Sequence, residues 1–288
     1  FFFWLSKKIR PDVWFSLHDV TPWVDCKRQY VYCHNPSIFL NMPLKDSHLD
    51  LTQYIFSKVY SYVYKINLGK NSNVIVQQQW FANAFHERYG FDDLIVSSPD
   101  ISYKGDLTEP VTSKHDVNSR NYSIFYPAFP RYFKNHSVLL EAAKICKDVD
   151  FYLTISGNEN RYSKHITTNK VNENVKLLGL LSRKEVSSYY ANVNALVFPS
   201  LLETWGLPIT EAKDAGLDII AADRNYCHEA VGDYPNIYWF DPLDIDDLVK
   251  SIDRARDPNI LPDGPKILDK SYPVINGWEN LVNFICKE

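Results

Sequence analysis

From residue 122 onward, short runs rich in β-branched and aromatic residues alternate with stretches of helical spacing, and this alternation leaves few folds open. The pattern predicts strands at Tyr122–Tyr126, Phe151–Ser156, Val175–Leu178, Ala195–Phe198, Asp218–Ala222 and Ile237–Trp239. It predicts helices at Asn135–Lys147, Ser182–Ala191, Leu207–Ala215, Asn225–Val231 and Asp244–Arg254, with Ser182 and Glu185 spaced as a capping box. Strands separated by single helices can pair side by side only in parallel, because each helix carries the chain back across the sheet. The expected class is therefore α/β, with a doubly wound parallel sheet. Ligands of such sheets bind beyond the carboxyl ends of the strands, so the loops that follow strands are where chemistry is sought.

The first half repeats the alternation less cleanly. Strands are expected at Val13–Leu17, Gln29–Cys33, Asn73–Gln77 and Leu94–Ser97, and helices at Leu49–Leu68 and Gln78–Tyr89. Leu49, Tyr54, Val59, Val63 and Ile66 fall near one face of the longer helix. Ile101–Arg120 is polar, aperiodic and carries Gly105 and Pro110, which marks a boundary between domains at 1–116 and 117–288, with a last helix that packs back on the first domain.

Composition excludes several function classes. Residues 1–115 carry 12 Lys+Arg against 11 Asp+Glu, and the remainder 19 against 24, so neither half has the basic excess of a nucleic-acid binder. Cys26, Cys33, Cys146, Cys227 and Cys286 are scattered and odd in number, which fits a reducing cytosol. Cys26, Cys33 and His34 lie close together, but no second Cys/His pair completes a structural zinc site. Phe1–Leu5 is too short for a secretory signal core and its basic residues, Lys7, Lys8 and Arg10, follow it. No run approaches the ~18 apolar residues of a membrane span, so membrane association is expected to be peripheral.

The strongest motif runs from Phe198 to Ala212: a strand end, a loop with Glu203, then Thr204, Trp205, Gly206, Leu207 and Pro208 at the start of a helix that carries Glu211. Proline is tolerated at a helix start, where its missing N–H costs nothing, and glycine lets backbone approach a ligand. Amides at such a start, with the positive end of the helix dipole, suit a diphosphate. The dipole contributes only about 0.3–1 kcal/mol when exposed, so a basic side chain should assist. The two carboxylates flanking a phosphate-type turn suit binding of sugar or ribose hydroxyls better than a hydrolytic pair.

This segment resembles the E-x7-E signature of family 4 glycosyltransferases. That resemblance implies the GT-B fold, two Rossmann-like domains facing a cleft. It implies that Glu203 holds the donor sugar and Glu211 the ribose of a nucleotide. Asn174–Gly179, Tyr189–Ser200 and Asp214–Asp223 are also similar to the family's C-terminal domain. The family's diphosphate-binding lysine matches Lys134. Its arginine position holds Phe129, and Arg131, two residues later, is the candidate replacement. His34, after the strand ending at Cys33, resembles the family's strand-end histidine that reaches the donor sugar. His18-Asp19 is expected to cap a turn. The family's opening strand and glycine-rich turn have no counterpart before Val13, so the N-terminal domain is expected to be partial.

The resemblance implies a retaining transfer from a UDP- or GDP-sugar, without a metal or other cofactor, since no Asp-x-Asp motif sits in a suitable strand-end loop. N-acetylhexosamine on UDP is the expected donor. Ser16–Asp19, Tyr32–Pro36 and Tyr126–Pro130 are similar to bacterial O-antigen and polysaccharide glycosyltransferases. That implies an undecaprenyl-diphosphate-linked saccharide acceptor and a place on the inner face of the plasma membrane, for which Lys7, Lys8, Arg10, the aromatic helix and Trp80 are suited. A nucleotide-sugar epimerase or phosphorylase of the same architecture, or an inactive nucleotide-binding subunit, remains open.

Overall fold

The computed structural model describes residues 1–98, 121–168, 171–268 and 271–287. The chain divides into two compact units. Unit 1 comprises Phe1–Leu44, Thr52–Ser102 and Leu268–Glu288; unit 2 comprises Lys45–Leu51 and Tyr103–Ile267. The expected boundary at 116/117 and the polar stretch around it lie outside the described residues.

Unit 1 opens with α1 (Phe2–Ile9), β1 (Val13–Ser16) and β2 (Arg28–Cys33). It continues with α2 (Leu51–Lys65), β3 (Asn73–Val76), α3 (Gln79–Tyr89) and β4 (Leu94–Val96). The four strands form one parallel sheet in the order β1-β2-β3-β4.

Unit 2 alternates strictly: β5 (Tyr122–Tyr126), α4 (His136–Ile145), β6 (Val149–Leu153), α5 (Arg161–Thr167), β7 (Val175–Leu177) and α6 (Arg183–Asn192). Then come β8 (Ala195–Phe198), α7 (Leu207–Asp214), β9 (Asp218–Ala222), α8 (Asn225–Val231), β10 (Ile237–Phe240) and α9 (Ile245–Arg256). Its six strands are all parallel, in the order β10-β9-β8-β5-β6-β7. The interior strand β8 reads as a continuous apolar run because helices cover both faces, and β6, β8 and the edge strand β10 are buried at every residue. The order reverses beside β5. From there the chain moves outward one way through β6 and β7, then returns to the other side of β5 with β8. The carboxyl ends of β5 and β8 therefore lie at the switch point of the strand order, the place where such sheets bind ligands.

The expected capping box at α6 is present: the Ser182 Oγ accepts from the Glu185 N–H, and the Glu185 carboxylate accepts from the Ser182 N–H at 2.7 Å. A second box, Asn160 with Ser163 at α5, was not foreseen, because serine replaces the usual Glu or Gln. The last helix, α10 (Trp278–Lys287), belongs to unit 1, where Leu281 and Ile285 pack with Tyr30, Tyr32, Ile75 and Ile95. Burying those two side chains is worth about 1.5–3 kcal/mol each.

Two features of unit 1 were not foreseen and one expectation needs correction. The start of the chain, read only for targeting, folds as α1 and closes on Arg10 in the left-handed region, φ 49°. The inward face of α2 is polar: Gln53, Ser57 and Tyr64 are buried, while Val59 and Ile66 are exposed. The buried Tyr64 hydroxyl is drawn inward to a carboxylate described below. Trp80, expected at a lipid-facing surface, is buried against Phe39 and Phe81, and its Nε1–H donates to Gln78 Oε1 at 2.7 Å.

Candidate functional site

The two loops at the reversal point are those after β5 and after β8, and side chains and backbone join them. The Leu201 N–H donates to the Phe133 carbonyl at 2.7 Å. The Tyr126 hydroxyl sits between the loops, 2.9 Å from the Lys134 carbonyl and 2.8 Å from Ser200 Oγ. The Tyr226 hydroxyl donates to the Ser200 carbonyl from α8. Asn135, in the left-handed region at φ 55°, sends its amide to the carbonyls of Pro199 and Pro242. Burial pushes the phenols of Tyr126 and Tyr226 well above their ordinary range, with the charge of Glu203 adding to it, so both remain neutral hydrogen-bonding groups.

On this platform Lys134 and Glu203 meet, Nζ to Oε1 at 2.5 Å, with both side chains largely buried. An ammonium has three N–H donors, so the bond to Glu203 leaves capacity for anionic oxygens. Next along the chain come Thr204, Trp205 and Gly206. Gly206 has φ 84° and caps α7 without any side chain, and Pro208 occupies the first turn. A Cβ at Gly206 would come within 3.3 Å of Ile209 Cδ1 while holding a backbone that L residues rarely adopt. Leu207, the first helical residue, is exposed, and the Trp205 indole N–H is buried without a hydrogen-bond partner among the described residues. A buried donor left unpaired costs ~1–3 kcal/mol, so an acceptor that reaches it gains that much.

Glu211 lies one turn into α7 and is buried. Its Oε1 accepts from Arg183 Nη1 at 2.7 Å and its Oε2 from the Tyr190 hydroxyl at 2.9 Å. Each carboxylate oxygen can accept a second bond, so the group is fixed in place yet able to take a hydroxyl. Neither Arg183 nor Tyr190 was singled out from sequence. The capping box at Ser182 locates the helix that carries them, but nothing in its spacing says which side chains turn toward α7.

Arg131, expected beside Lys134, is committed elsewhere. It pairs with Asp50, Nε to Oδ2 at 2.7 Å and Nη2 to Oδ1 at 3.3 Å. The neighbouring Tyr132 hydroxyl donates to Asp46 Oδ2 at 2.8 Å, and Arg161 donates to the His48 carbonyl. The segment Lys45–Leu51 is thereby tied into unit 2. A bidentate guanidinium–carboxylate pair is a strong, directional contact, which is why Arg131 does not point toward Glu203.

His34 belongs to unit 1, where it follows β2. Asp19 organises its surroundings. This carboxylate is 1% exposed and accepts from the backbone N–H groups of His34 and Asn35 at 2.8 and 3.3 Å, so Asp19 does cap a turn. It also accepts from the hydroxyls of Tyr64 and Tyr60 at 2.9 and 3.2 Å. The load on Asp19 was missed because its partners lie 41 and 45 residues away along the chain.

The sequence model of a family described as Glycosyl transferases group 1 matches residues 111–262, more than half of the chain. The chain belongs to that family. Solved structures agree on a GT-B fold for this glycosyl transferases group 1 member. HepE from Anabaena, in complex with UDP and glucose, is similar with a TM-score of 0.60 at 20% identity, over 80% of this chain and 62% of that one. WaaG, a glycosyltransferase involved in lipopolysaccharide biosynthesis, is similar with a TM-score of 0.60 at 14% identity, over 87% and 70%. Sucrose-phosphate synthase from Thermosynechococcus elongatus is similar with a TM-score of 0.59 at 16% identity, over 79% and 58%. The chain thus spans under two thirds of the length of two of these three. A comparison with curated proteins found no match.

Proposed function

We propose that the chain is a retaining glycosyltransferase whose unit 2 binds the nucleotide sugar, UDP-N-acetylhexosamine being our choice of donor. The observation that carries this is the meeting of Lys134 and Glu203 at the reversal point, beside the uncapped start of α7 and with Glu211 fixed one turn inside it. Lys134 and the α7 amides hold the diphosphate, Glu203 takes sugar hydroxyls and Glu211 takes the ribose. Arg131 anchors Lys45–Leu51 in this reading and leaves the diphosphate to Lys134. For His34 we retain the donor-sugar role that the family resemblance implies.

Transfer then breaks the bond from the anomeric carbon to the diphosphate oxygen and forms one to the acceptor oxygen on the same face. The acceptor proton passes to the departing diphosphate. Negative charge grows on that diphosphate, so Lys134 acts where it lowers the barrier most, and no metal is needed for the step.

Calorimetry with UDP, GDP and their sugar conjugates tests the donor site. We expect one nucleotide to bind, and Glu211→Ala to weaken it about 10- to 100-fold by removing hydrogen bonds to a charged group worth about 1.5–3 kcal/mol. Binding of neither nucleotide would remove the proposal. Turnover to a rearranged free sugar without an acceptor would favour an epimerase.

For the acceptor we propose a lipid-linked saccharide reached by peripheral contact with an anionic membrane. No helix among the described residues is long and apolar enough to cross one. On α2, Leu51, Ile55, Val59, Tyr62 and, just past its end, Ile66 are exposed at helical spacing, with Lys58 and Lys65 nearby. Ile55→Glu with Val59→Glu should lower co-sedimentation with anionic vesicles at least tenfold, since inserting each apolar side chain is worth roughly 1.5–3 kcal/mol. Equal sedimentation of both forms would exclude α2 as the contact.

A further inference from the structure

We infer that His18, Asp19 and His34 form a binding site for a divalent transition ion of the zinc class, and that the ion, once bound, withdraws His34 from the reaction. One ligand atom from each residue lies within 4.8 Å of the others. The strands bring them together: β1 and β2 are adjacent and parallel, with Ser16 paired to Val31, so the segments leaving their carboxyl ends run side by side. Successive strand residues point to opposite faces. Asp19 breaks that rule with φ 54°, which lets the side chains of His18 and Asp19 converge.

The carboxylate is already prepared. Oδ1 of Asp19 takes both backbone N–H groups and the Tyr64 hydroxyl, whereas Oδ2, among the described residues, takes the Tyr60 hydroxyl alone and stands 3.8 Å from His18 Nδ1. His34 Nδ1 lies 3.4 Å from Oδ1. Among the described residues no lysine or arginine pairs with Asp19; its only ion-pair partners are these two imidazoles. A buried carboxylate without a full positive charge beside it is costly, and a divalent ion supplies that charge.

The spacing also suits such an ion. Zinc bonds of about 2.0–2.2 Å to nitrogen and oxygen place tetrahedral ligand atoms roughly 3.3 Å apart; here His34 Nδ1 stands 3.4 Å from Oδ1 and His18 Nδ1 3.8 Å from Oδ2, and one atom from each residue lies within 4.8 Å of the others, so small side-chain shifts close the set. The remaining closure falls to His18, which is 79% exposed and stacks on His34 at 5.0 Å between ring centroids. Two imidazoles and one carboxylate select zinc, cobalt or nickel over magnesium or calcium, which require oxygen ligands. Three protein ligands leave a fourth position for water.

Cobalt(II) is the probe. Metal-stripped full chain at neutral pH should take up one equivalent, with the visible d–d bands of a nitrogen–oxygen site, and zinc should displace it. His18→Ala changes an exposed side chain outside the donor site. It should weaken cobalt binding at least as much as loss of an outer partner does at other metal sites, about 10- to 100-fold. The inhibitory half rests on the proposed transfer reaction: zinc should inhibit the native chain, EDTA should restore it, and His18→Ala should be resistant. Cobalt binding needs no donor or acceptor, so it separates failure of the site from failure of that reaction. Absence of d–d bands, equal binding by His18→Ala, or a sulfur charge-transfer band from Cys26 or Cys286 would overturn the site. Zinc binding with undiminished transfer would overturn its inhibitory role.

Discussion

Lys134→Met should lower turnover by roughly 100- to 1,000-fold, the usual cost of removing one preorganised donor from a charge that develops in the transition state. The residue is fixed from three directions: its carbonyl receives the Tyr126 hydroxyl, its neighbour Phe133 receives the Leu201 amide, and its own ammonium holds Glu203. Methionine keeps most of the unbranched side chain and removes the ammonium, its charge and its N–H donors together. If Lys134 acts mainly on the departing diphosphate, kcat falls more than KM rises, whereas a residue that merely binds donor would change KM alone. Lys134→Arg should recover part of the rate. Glu203 loses its partner in the methionine variant, so a thermal melt must accompany the kinetics. Turnover within about threefold of the native chain would exclude Lys134 from the mechanism.

Acid should destabilise the chain through His136, the first residue of α4. The imidazole is fully buried, 4.8 Å from the Tyr126 ring, with Nε2 3.2 Å from the Ala128 carbonyl. Burial depresses its pKa from 6.5 to about 3. Above pH 6.5 the residue is neutral in both folded and unfolded chains and has no effect on pH dependence. Below pH 6.5 the unfolded chain takes up a proton that the folded chain refuses, so stability falls by about 1.4 kcal/mol per pH unit until the folded value is reached. Between pH 7 and pH 5 this amounts to about 2 kcal/mol. Urea unfolding at the two pH values, on the native chain and on His136→Gln, isolates the contribution, because the carboxylates common to both forms cancel. The same loss in both would mean that His136 is protonated in the folded state.

Much of unit 2 was legible in the sequence because its period is local. Ala195–Phe198, Asp218–Ala222 and Asn225–Val231 fall where the pattern places them, and Gly206 and Pro208 punctuate the start of α7 as expected. Contacts made across the fold were not legible. Arg131 meets Asp50, 81 residues away, and Glu211 meets Arg183, 28 residues away; neither pairing leaves a trace in spacing. The polar inner face of α2 was not foreseen for a related reason. Tyr64 is buried for its hydroxyl as well as its ring, and its partner Asp19 looks like an ordinary turn residue until the strands assemble around it.

The place of α10 has a consequence for how the protein is made. During synthesis the β1–β4 sheet emerges first, but Leu281 and Ile285, which complete the cluster around Tyr30, Tyr32, Ile75 and Ile95, emerge only after all of unit 2. Unit 2 has its six strands in one continuous stretch and can assemble as it appears. Unit 1 must wait with an apolar sheet face uncovered, the state in which nascent chains are most prone to aggregate. Its final closure also joins residues far apart in sequence, which slows folding. The β1–β4 sheet is thus translated before unit 2 and finished after it.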